Sequence, residues 1–179
     1  MKNYIFTSER LGFRNWKNSD IDFLFELNSN KEVMKYFPST QTKEQCEAFM
    51  NRMQNLYYKT KFCYFLVEEL TTQKSIGFIG LSEQTYKADF NPSIDIGWRL
   101  HPDFWNKGYA TEGAKASLLY GFQQLKLKEI VSVAPIINAP SISVMNKIGM
   151  EKVNEFNHPL LAEFPNLEKC VLYRKSNTM

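Results

Sequence analysis

The feature that most constrains the fold is a glycine-containing turn between an apolar segment and a helix-forming segment, at residues 98–113. The apolar run ends at His101, and the turn after it contains Gly108 and Ala110. A helix-forming sequence starts at Thr111, so we predict a strand, a turn and a helix in that order. The first N–H groups of a helix have no partner within it, and Gly108 lets the backbone approach a ligand closely. The sequence therefore predicts a binding site for anionic oxygens at this helix N-terminus.

A second interpretation of the same turn needs no ligand. Thr111 would be the N-cap of the helix, and Gly108 would only form the turn. Lys107 favours the anion site because it adds positive charge to a helix end whose dipole stabilises an anion by ~0.3–1 kcal/mol. Neither G-x-x-x-x-G-K-[ST] nor G-x-G-x-x-G occurs in the chain, which argues against nucleoside-triphosphate hydrolysis and Rossmann-type chemistry.

Length and charge set the broad class of protein. A chain of 179 residues with 44% hydrophobic content suits one globular domain, which we expect to span residues 1–179. The net charge is only +3, from 22 basic and 19 acidic residues. No run of Lys and Arg marks a nucleic-acid surface, so we expect no direct nucleic-acid binding.

Cysteine usage and hydropathy indicate the compartment. Cys46, Cys63 and Cys170 are an odd set without C-x-x-C spacing, which is typical of reduced thiols in a cytoplasmic protein. The first six residues lack a long apolar segment, and no run approaches the ~20 residues that cross a bilayer. Two histidines cannot alone build a His-rich centre. We therefore expect a cytoplasmic protein with no membrane association and no metal.

Helical and strand patterns alternate along the chain without a linker or an internal repeat. We predict helices after the cap at 18–20, after a capping box at Thr42 to Gln45, from Thr111 to about Leu125, and near 141–147. Predicted strands lie at residues 11–16, 62–69, 75–86, 93–100, 129–133, 151–156 and 169–174. The order is that of an α+β fold with a central sheet.

Two segments resemble known blocks of the GNAT N-acetyltransferases. Residues 105–112, Trp-Asn-Lys-Gly-Tyr-Ala-Thr-Glu, are similar to the acyl-CoA pyrophosphate loop of that family, particularly of its branch resembling the RimJ and RimL ribosomal-protein acetyltransferases. Residues 138–150, where Asn138 precedes a short helix that runs to Gly149, are similar to the second block of the same branch. Flanking segments at 8–11, 33–38, 96–99 and 171–174 follow in the family's order. The resemblance spans nearly the whole chain.

The resemblance implies a fold, a co-substrate and a set of binding residues. The fold is the GNAT fold, in which helices flank a mixed, mostly antiparallel sheet that splays apart between its fourth and fifth strands. Acetyl-CoA is the implied co-substrate, and the implied binding residues are Trp98, Arg99 and Leu100 for the pantetheine, Asn106, Lys107, Gly108, Tyr109, Ala110 and Thr111 for the pyrophosphate, and Asn138. The loop departs from the general pattern, which opens with Gln or Arg, because this chain has Trp105.

Acetyl transfer also needs a polarised thioester carbonyl and a proton for the leaving thiolate. A strand N–H near Leu100 can polarise the carbonyl. Many relatives place a Tyr proton donor seven residues after the matching Asn, and here that position is Met145, which has no proton to donate. Ser141 is the replacement that the RimL-like resemblance suggests, whereas the alternative makes Ser141 the cap of the short helix.

A general base is required because amines with pKa values of ~8 to ~10.4 are mostly protonated at neutral pH. Asp95 lies close in sequence to the CoA-binding segment and is our first choice, with Glu83 and Glu163 as alternatives. A carboxylate on a strand can equally be a solvated surface group. His101 and His158 each precede a proline, so we assign them structural roles.

The sequence therefore predicts an acetyl-CoA-dependent N-acetyltransferase that acts on a primary amine by direct transfer. The cysteines lie outside both CoA blocks, which argues against an acyl-cysteine step. The acceptor is a protein N-terminus or a small-molecule amine, since the fold does not fix the substrate. The alternative, motivated by Met145, is a catalytically weak CoA-binding or regulatory protein. We expect a monomer or a homodimer.

Overall fold

The computed structural model describes residues 3–178, so the extreme ends of the domain predicted over 1–179 lie outside the described residues. The strands in this range are β1 Phe6–Thr7, β2 Leu11–Arg14, β3 Tyr64–Glu69, β4 Ser75–Gln84, β5 Ser93–Leu100, β6 Glu129–Pro135, β7 Glu151–Asn157 and β8 Lys169–Ser176. The helices are α1 Ile21–Ser29, α2 Lys43–Thr60, α3 Tyr109–Leu119, α4 Ala139–Lys147 and α5 Pro165–Glu168. Short 3₁₀ turns occur at Asn18–Asp20, Pro102–Phe104 and Pro159–Leu161, and a π-helical turn, Tyr120–Gln124, follows α3.

The strands form one sheet in the order β1-β2-β3-β4-β5-β6-β8-β7. Neighbouring strands are antiparallel except for β5 and β6, which are parallel. Residues of β5 pair with β4 along the whole strand, whereas β5 and β6 share the single aligned pair Asp95 and Val131. The sheet therefore splays beyond Asp95. This confirms the predicted α+β fold, because β5 and β6 are the fourth and fifth strands of the sequence prediction.

Helices cover both faces of the sheet. On the side that we call the α2 face, the ring centroid of Phe49 in α2 lies 5.2 Å from that of Phe78 in β4. On the opposite side, the α3 face, a Cβ at Gly113 would lie only 2.3 Å from Ile79 Cδ1 of β4. α4 also packs on the α3 face through Met145, which belongs to the same buried cluster as Ile96 of β5. No helix within residues 3–178 has the length and apolar character needed to cross a membrane.

Alternation along β5 decides which side chains reach each face. Register pairs Arg99 with Phe78, so residues 95, 97 and 99 share the α2 face. Residues 94, 96, 98 and 100 point to the α3 face. The candidate base Asp95 therefore lies on the side of the sheet that α1 and α2 cover.

The capping box before α2 is confirmed. Thr42 Oγ1 accepts the Gln45 N–H at 3.3 Å, and Gln45 Oε1 accepts the Thr42 N–H at 2.8 Å. The start of α3 was predicted wrongly, because the helix begins at Tyr109 with Gly108 as its N-cap rather than at Thr111. β1 and α5 were not predicted, since two and four residues are too few to show a periodic pattern.

Candidate active site

The turn before α3 has the backbone of an anion site. Asn106 and Gly108 both adopt left-handed conformations, with φ of 59° and 81°. Such residues turn successive N–H groups toward one concave surface that attracts anions. Gly108 is the N-cap of α3 and, being glycine, places no side chain over the first helical N–H groups.

The first turn of α3 leaves N–H groups for a ligand. Glu112 makes the first helical hydrogen bond, donating its N–H to Gly108 O at 3.0 Å. The N–H groups of Tyr109, Ala110 and Thr111 precede it and have no intrahelical partner. Thr111 lies in the third helical position, so its alternative role as N-cap is wrong. The backbone of residues 106–111 therefore leaves helix N–H groups free for an anion, and their contact with a pyrophosphate stays a prediction.

A salt bridge from the N-terminal segment holds this loop in place. Arg10 donates from Nε to Glu112 Oε2 at 2.7 Å, and Ser8 Oγ donates to Glu112 Oε1 at 2.6 Å. Arg10 Nη1 also donates to the carbonyl of Lys107 at 3.1 Å. The segment at 8–11 thus orients the loop across about 100 residues of sequence. The sequence resemblance included this segment without showing its role.

Two side chains of the loop, Tyr109 and Trp105, contact other parts of the protein. The Tyr109 hydroxyl donates to Glu69 Oε1, and the Arg10 guanidinium lies 4.3 Å from the Tyr109 ring centroid. Trp105 Nε1 donates to Leu100 O at 2.8 Å and ties the loop to the end of β5. Trp105 therefore serves loop packing.

The edge of β5 that faces the splay carries unpaired main-chain groups. His101 donates its N–H to Ile76 O of β4 at 2.9 Å, and Arg99 is paired with Phe78, so the main chain of odd-numbered residues faces β4. The N–H groups of Trp98 and Leu100 point the other way, toward β6. Pairing with β6 ends at Asp95. Of the three predicted pantetheine contacts, the geometry offers the main chain of Trp98 and the N–H of Leu100. The main chain of Arg99 is used within the sheet, and Leu100 O accepts from Trp105.

The second predicted block lies across the splay, at the start of α4. Asn138 is 8% exposed and is the N-cap, because its Oδ1 accepts the Ser141 N–H at 3.2 Å. Asn138 Nδ2 is the group that remains for a ligand. Ser141 is therefore not the cap, and that alternative is wrong. Met145 is 1% exposed within the core of the α3 face.

Asp95 lies on the α2 face in a network of polar side chains. Tyr64 donates its hydroxyl to Asp95 Oδ1 at 2.6 Å, and Gln84 Nε2 donates to the same oxygen at 2.9 Å. Burial raises the pKa of Asp95 to about 6, although both hydrogen bonds oppose this shift. Asp95 is therefore a stronger base than an ordinary carboxylate and is still mainly ionised at neutral pH.

The alternative bases lie in less suitable places. Glu83 is exposed and pairs with Ile94, which puts its side chain on the α3 face, opposite Asp95. Glu163 is exposed in the segment before α5. His101 Nδ1 accepts the Asp103 N–H at 3.3 Å, and His158 Nδ1 accepts the Leu160 N–H at 3.2 Å. Both histidines cap 3₁₀ turns, as their positions before proline predicted.

The structure adds residues that the sequence did not single out. Tyr64 and Gln84 come from β3 and β4 to contact Asp95, and only the strand register brings them there. Arg10 and Glu112 were included in matched segments, but their contact joins residues far apart in sequence. No local spacing signals such pairs.

An uncapped helix N-terminus suits the pyrophosphate of an acyl-CoA thioester. The strand edge beside it, with unpaired main chain, suits the extended pantetheine that carries the acyl group. The sequence profile described as "Acetyltransferase (GNAT) domain" matches residues 10–151. The chain therefore belongs to the GNAT acetyltransferases, which use acetyl-CoA as co-substrate.

Individual relatives agree with this family. An uncharacterized N-acetyltransferase of Bacillus subtilis, YnaD, is 35% identical over 151 residues, which cover 84% of each chain. A GNAT-family acetyltransferase structure from Bacillus anthracis has a TM-score of 0.80 and 30% identity, covering 97% of this chain and 98% of the other. Spermidine N-acetyltransferase from Vibrio cholerae, in complex with CoA and spermine, has a TM-score of 0.76 at 18% identity, covering 94% and 96%. The last comparison concerns the fold alone.

Proposed function

We propose that this acetyltransferase transfers the acetyl group directly to a primary amine, with Asp95 as general base and Ser141 as proton donor to the thiolate. The observation that carries the proposal is the position of Asp95, whose pKa burial raises to about 6 at the point where β5 parts from β6. A base with this pKa accepts a proton at neutral pH and does so more readily than a solvated carboxylate.

Acetyl-CoA would be bound by backbone groups and by Asn138. The pyrophosphate fits the loop at 106–111, where Lys107 adds positive charge. Pantetheine fits the splay as an added strand would, and from the loop it passes Leu100 before Trp98. The acetyl end then lies toward Trp98 and Asp95. We therefore assign polarisation of the carbonyl to the Trp98 N–H, the next inward-facing donor after that of Leu100.

The transfer balances as follows. Asp95 removes one proton from the ammonium group of the acceptor, directly or through a water molecule. The neutral nitrogen attacks the thioester carbon, the second amine proton leaves to solvent, and the C–S bond breaks. Ser141 Oγ protonates the thiolate and regains a proton from solvent, and Asp95 releases its proton to solvent. Met145 takes no part, because its side chain is enclosed in the core.

The family leaves the acceptor open between a protein N-terminus and a small-molecule amine. The Vibrio cholerae relative acts on spermidine according to its name, but that likeness carries only the fold. Assignment to the RimJ/RimL-like branch rests on the sequence of the loop at 105–112. Cytoplasmic location and a monomeric or homodimeric state stay predictions.

Two measurements test the proposal. Calorimetry should detect acetyl-CoA binding, and Gly108→Val should abolish it, because a β-branched residue is strained at φ 81° and distorts the loop. Gly149→Val is the control for backbone strain, since Gly149 has φ 74°, follows the end of α4 opposite Asn138, and a Cβ there meets the flexible end of Lys175. Thiol release should then rise with a primary amine.

The outcomes separate the alternatives. Binding of acetyl-CoA without amine-dependent thiol release would favour the catalytically weak CoA-binding protein. An absence of binding by the folded wild-type chain would overturn both readings of the site.

A further inference from the structure

Arg99 is a half-buried cation whose charge has no carboxylate partner within residues 3–178. Its guanidinium lies 4.1 Å from the ring centroid of Phe37 and 5.1 Å from that of Phe78. The neighbours that influence its ionisation are Tyr64 and Cys46, and neither is an acid of carboxyl type. Burial lowers the pKa of Arg99 to about 10, so the group remains charged at neutral pH. The surroundings of the Arg99 guanidinium are therefore positively charged and partly enclosed.

Only one part of the Arg99 fork is hydrogen-bonded by the chain. Nη1 donates to Asn28 Oδ1 at 2.7 Å. Nε is buried without a partner, and in the described part of the chain no hydrogen bond from Nη2 is found. A buried donor left unpaired costs about as much as a lost hydrogen bond. The Nε–Nη2 edge is the side of a guanidinium that binds a carboxylate with two parallel hydrogen bonds.

Arg99 and Asp95 lie on the same face of β5. They are four residues apart, which corresponds to roughly 13 Å between Cα atoms along a strand. Gly97 between them has no side chain, and a Cβ there would lie 3.1 Å from the Tyr64 ring. The rings of Tyr64 and Phe78 stack at 5.9 Å and form an aromatic surface between the two charged groups. The Tyr64 ring fills the space directly over Gly97, so an acceptor that contacts both Asp95 and Arg99 has to lie along these rings.

We propose that the acceptor is a primary amine that also carries a carboxylate, which the Nε–Nη2 edge of Arg99 binds while the amine faces Asp95. This inference rests on the proposed function. The separation of the two groups favours an acceptor whose amine and carboxylate are several bonds apart, such as an ω-amino acid or a short peptide. A polyamine places a second cation near Arg99 and is disfavoured by like-charge repulsion.

The test compares amines that differ only in charge at the far end. 6-Aminohexanoate and dialanine are each paired with their neutral carboxamides, and spermidine is the cationic comparison. Charge-assisted hydrogen bonds to a half-buried guanidinium should give the carboxylates about a thirtyfold higher kcat/KM than the amides. Arg99→Gln should reduce this ratio to near one, mainly by lowering kcat/KM for the carboxylates.

A matched control separates recognition from a general loss of arginine. Arg52 is exposed on α2 and lies 5.4 Å from the Phe49 ring centroid, so Arg52→Gln removes a stacked arginine elsewhere and should leave the ratio unchanged. Thermal unfolding reports whether each variant is folded. Arg99→Lys should retain only part of the preference, because an ammonium group cannot form the paired contact.

A binding measurement makes the inference independent of turnover. Wild-type protein loaded with CoA should bind N-acetyl-6-aminohexanoate by calorimetry, and Arg99→Gln should lose this binding. Equal rates for carboxylates and amides, or a preference for spermidine, would overturn the inference while leaving the acetyltransferase intact. Acetyl-CoA binding without turnover of any amine would instead count against the proposed function, and the calorimetric result would then decide the role of Arg99.

Discussion

Arg14 and Arg99 lie in one cross-strand row on the α2 face, with Leu66 and Phe78 between them. Arg14 donates from Nε to Glu68 Oε1 and from Nη1 and Nη2 to Asp20, each at 2.8 Å. Among the described residues, Arg99 makes a single hydrogen bond, to the neutral amide of Asn28, and its guanidinium lies over the rings of Phe37 and Phe78. The same residue type in the same row therefore has opposite surroundings.

The difference in hydrogen-bond partners distinguishes Arg14, which stabilises the fold, from Arg99, which we propose binds a ligand. The Arg14 cluster joins β2, β3 and the 3₁₀ turn before α1, and it pairs one cation with two carboxylates. Arg99 lies beside the splay of the sheet, where an acceptor has to enter. The same contrast occurs in α4, where Asn138 Oδ1 is used as a cap and no protein partner of Ser141 Oγ is found among the described residues.

Replacing each arginine by leucine should separate the two sites most strongly. Arg14→Leu leaves Asp20 and Glu68 buried without a cation, so we expect the free energy of unfolding to fall by about 3–5 kcal/mol. Arg99→Leu leaves no carboxylate unpaired but removes the donor to the buried Asn28 Oδ1, so we expect a smaller loss of about 1–2 kcal/mol. Urea unfolding at neutral pH measures both.

Equal losses of stability for the two variants at neutral pH would show that Arg99 is as much a part of the fold as Arg14.

Asp95→Asn should lower turnover without lowering stability. The substitution keeps the oxygen that Tyr64 and Gln84 contact but removes the base, and general-base catalysis contributes about 10²-fold or more. In wild type, kcat/KM should show a limb near pH 6, the pKa of Asp95, in addition to the limb of the amine itself. The variant should show only the amine limb.

The sign of the stability effect follows from the raised pKa. A folded-state pKa above the unfolded one stabilises the protonated form, a contribution that is full in acid and is lost as pH rises through about 6. At pH 7–8 the ionised Asp95 therefore opposes folding. Asp95→Asn should be at least as stable as wild type there, and a clear loss of stability would mean that Asp95 is structural.

The part of the site proposed to bind acetyl-CoA could largely be predicted from the sequence, because backbone groups form it. A glycine at the N-cap and a helix-forming segment after it already determine an uncapped helix N-terminus. The strand at 93–100 was predicted with its observed bounds. The helix start was misplaced because Tyr109 and Ala110 carry no cap signal and Thr111 does.

The part of the site proposed to bind the amine acceptor could not be predicted to the same extent. Asp95 was a candidate from its place near the CoA segment, but its base strength comes from burial by residues of other strands. The proposed role of Arg99 depends on the lack of a carboxylate near its guanidinium among the described residues. A local sequence pattern cannot show which residues the fold keeps away from a side chain. Its sequence neighbours suggested only a main-chain contact, which the register of β4 and β5 assigns to Trp98 and Leu100 instead.

The smallest effects are expected for α4, where Asn138 Oδ1 is used as a cap and Ser141 Oγ is not hydrogen-bonded to the described residues. Ser141→Ala should lower turnover about tenfold, which corresponds to ~1.4 kcal/mol for one transition-state hydrogen bond, with the acetyl-CoA affinity and thermal stability unchanged. Asn138→Ala should instead lower the free energy of unfolding by ~1 kcal/mol through loss of the cap, and it should also weaken acetyl-CoA binding. Steady-state kinetics and calorimetry on both variants distinguish the two patterns. Unchanged turnover in Ser141→Ala would remove Ser141 from the mechanism, and the thiolate would then leave with a proton taken from solvent.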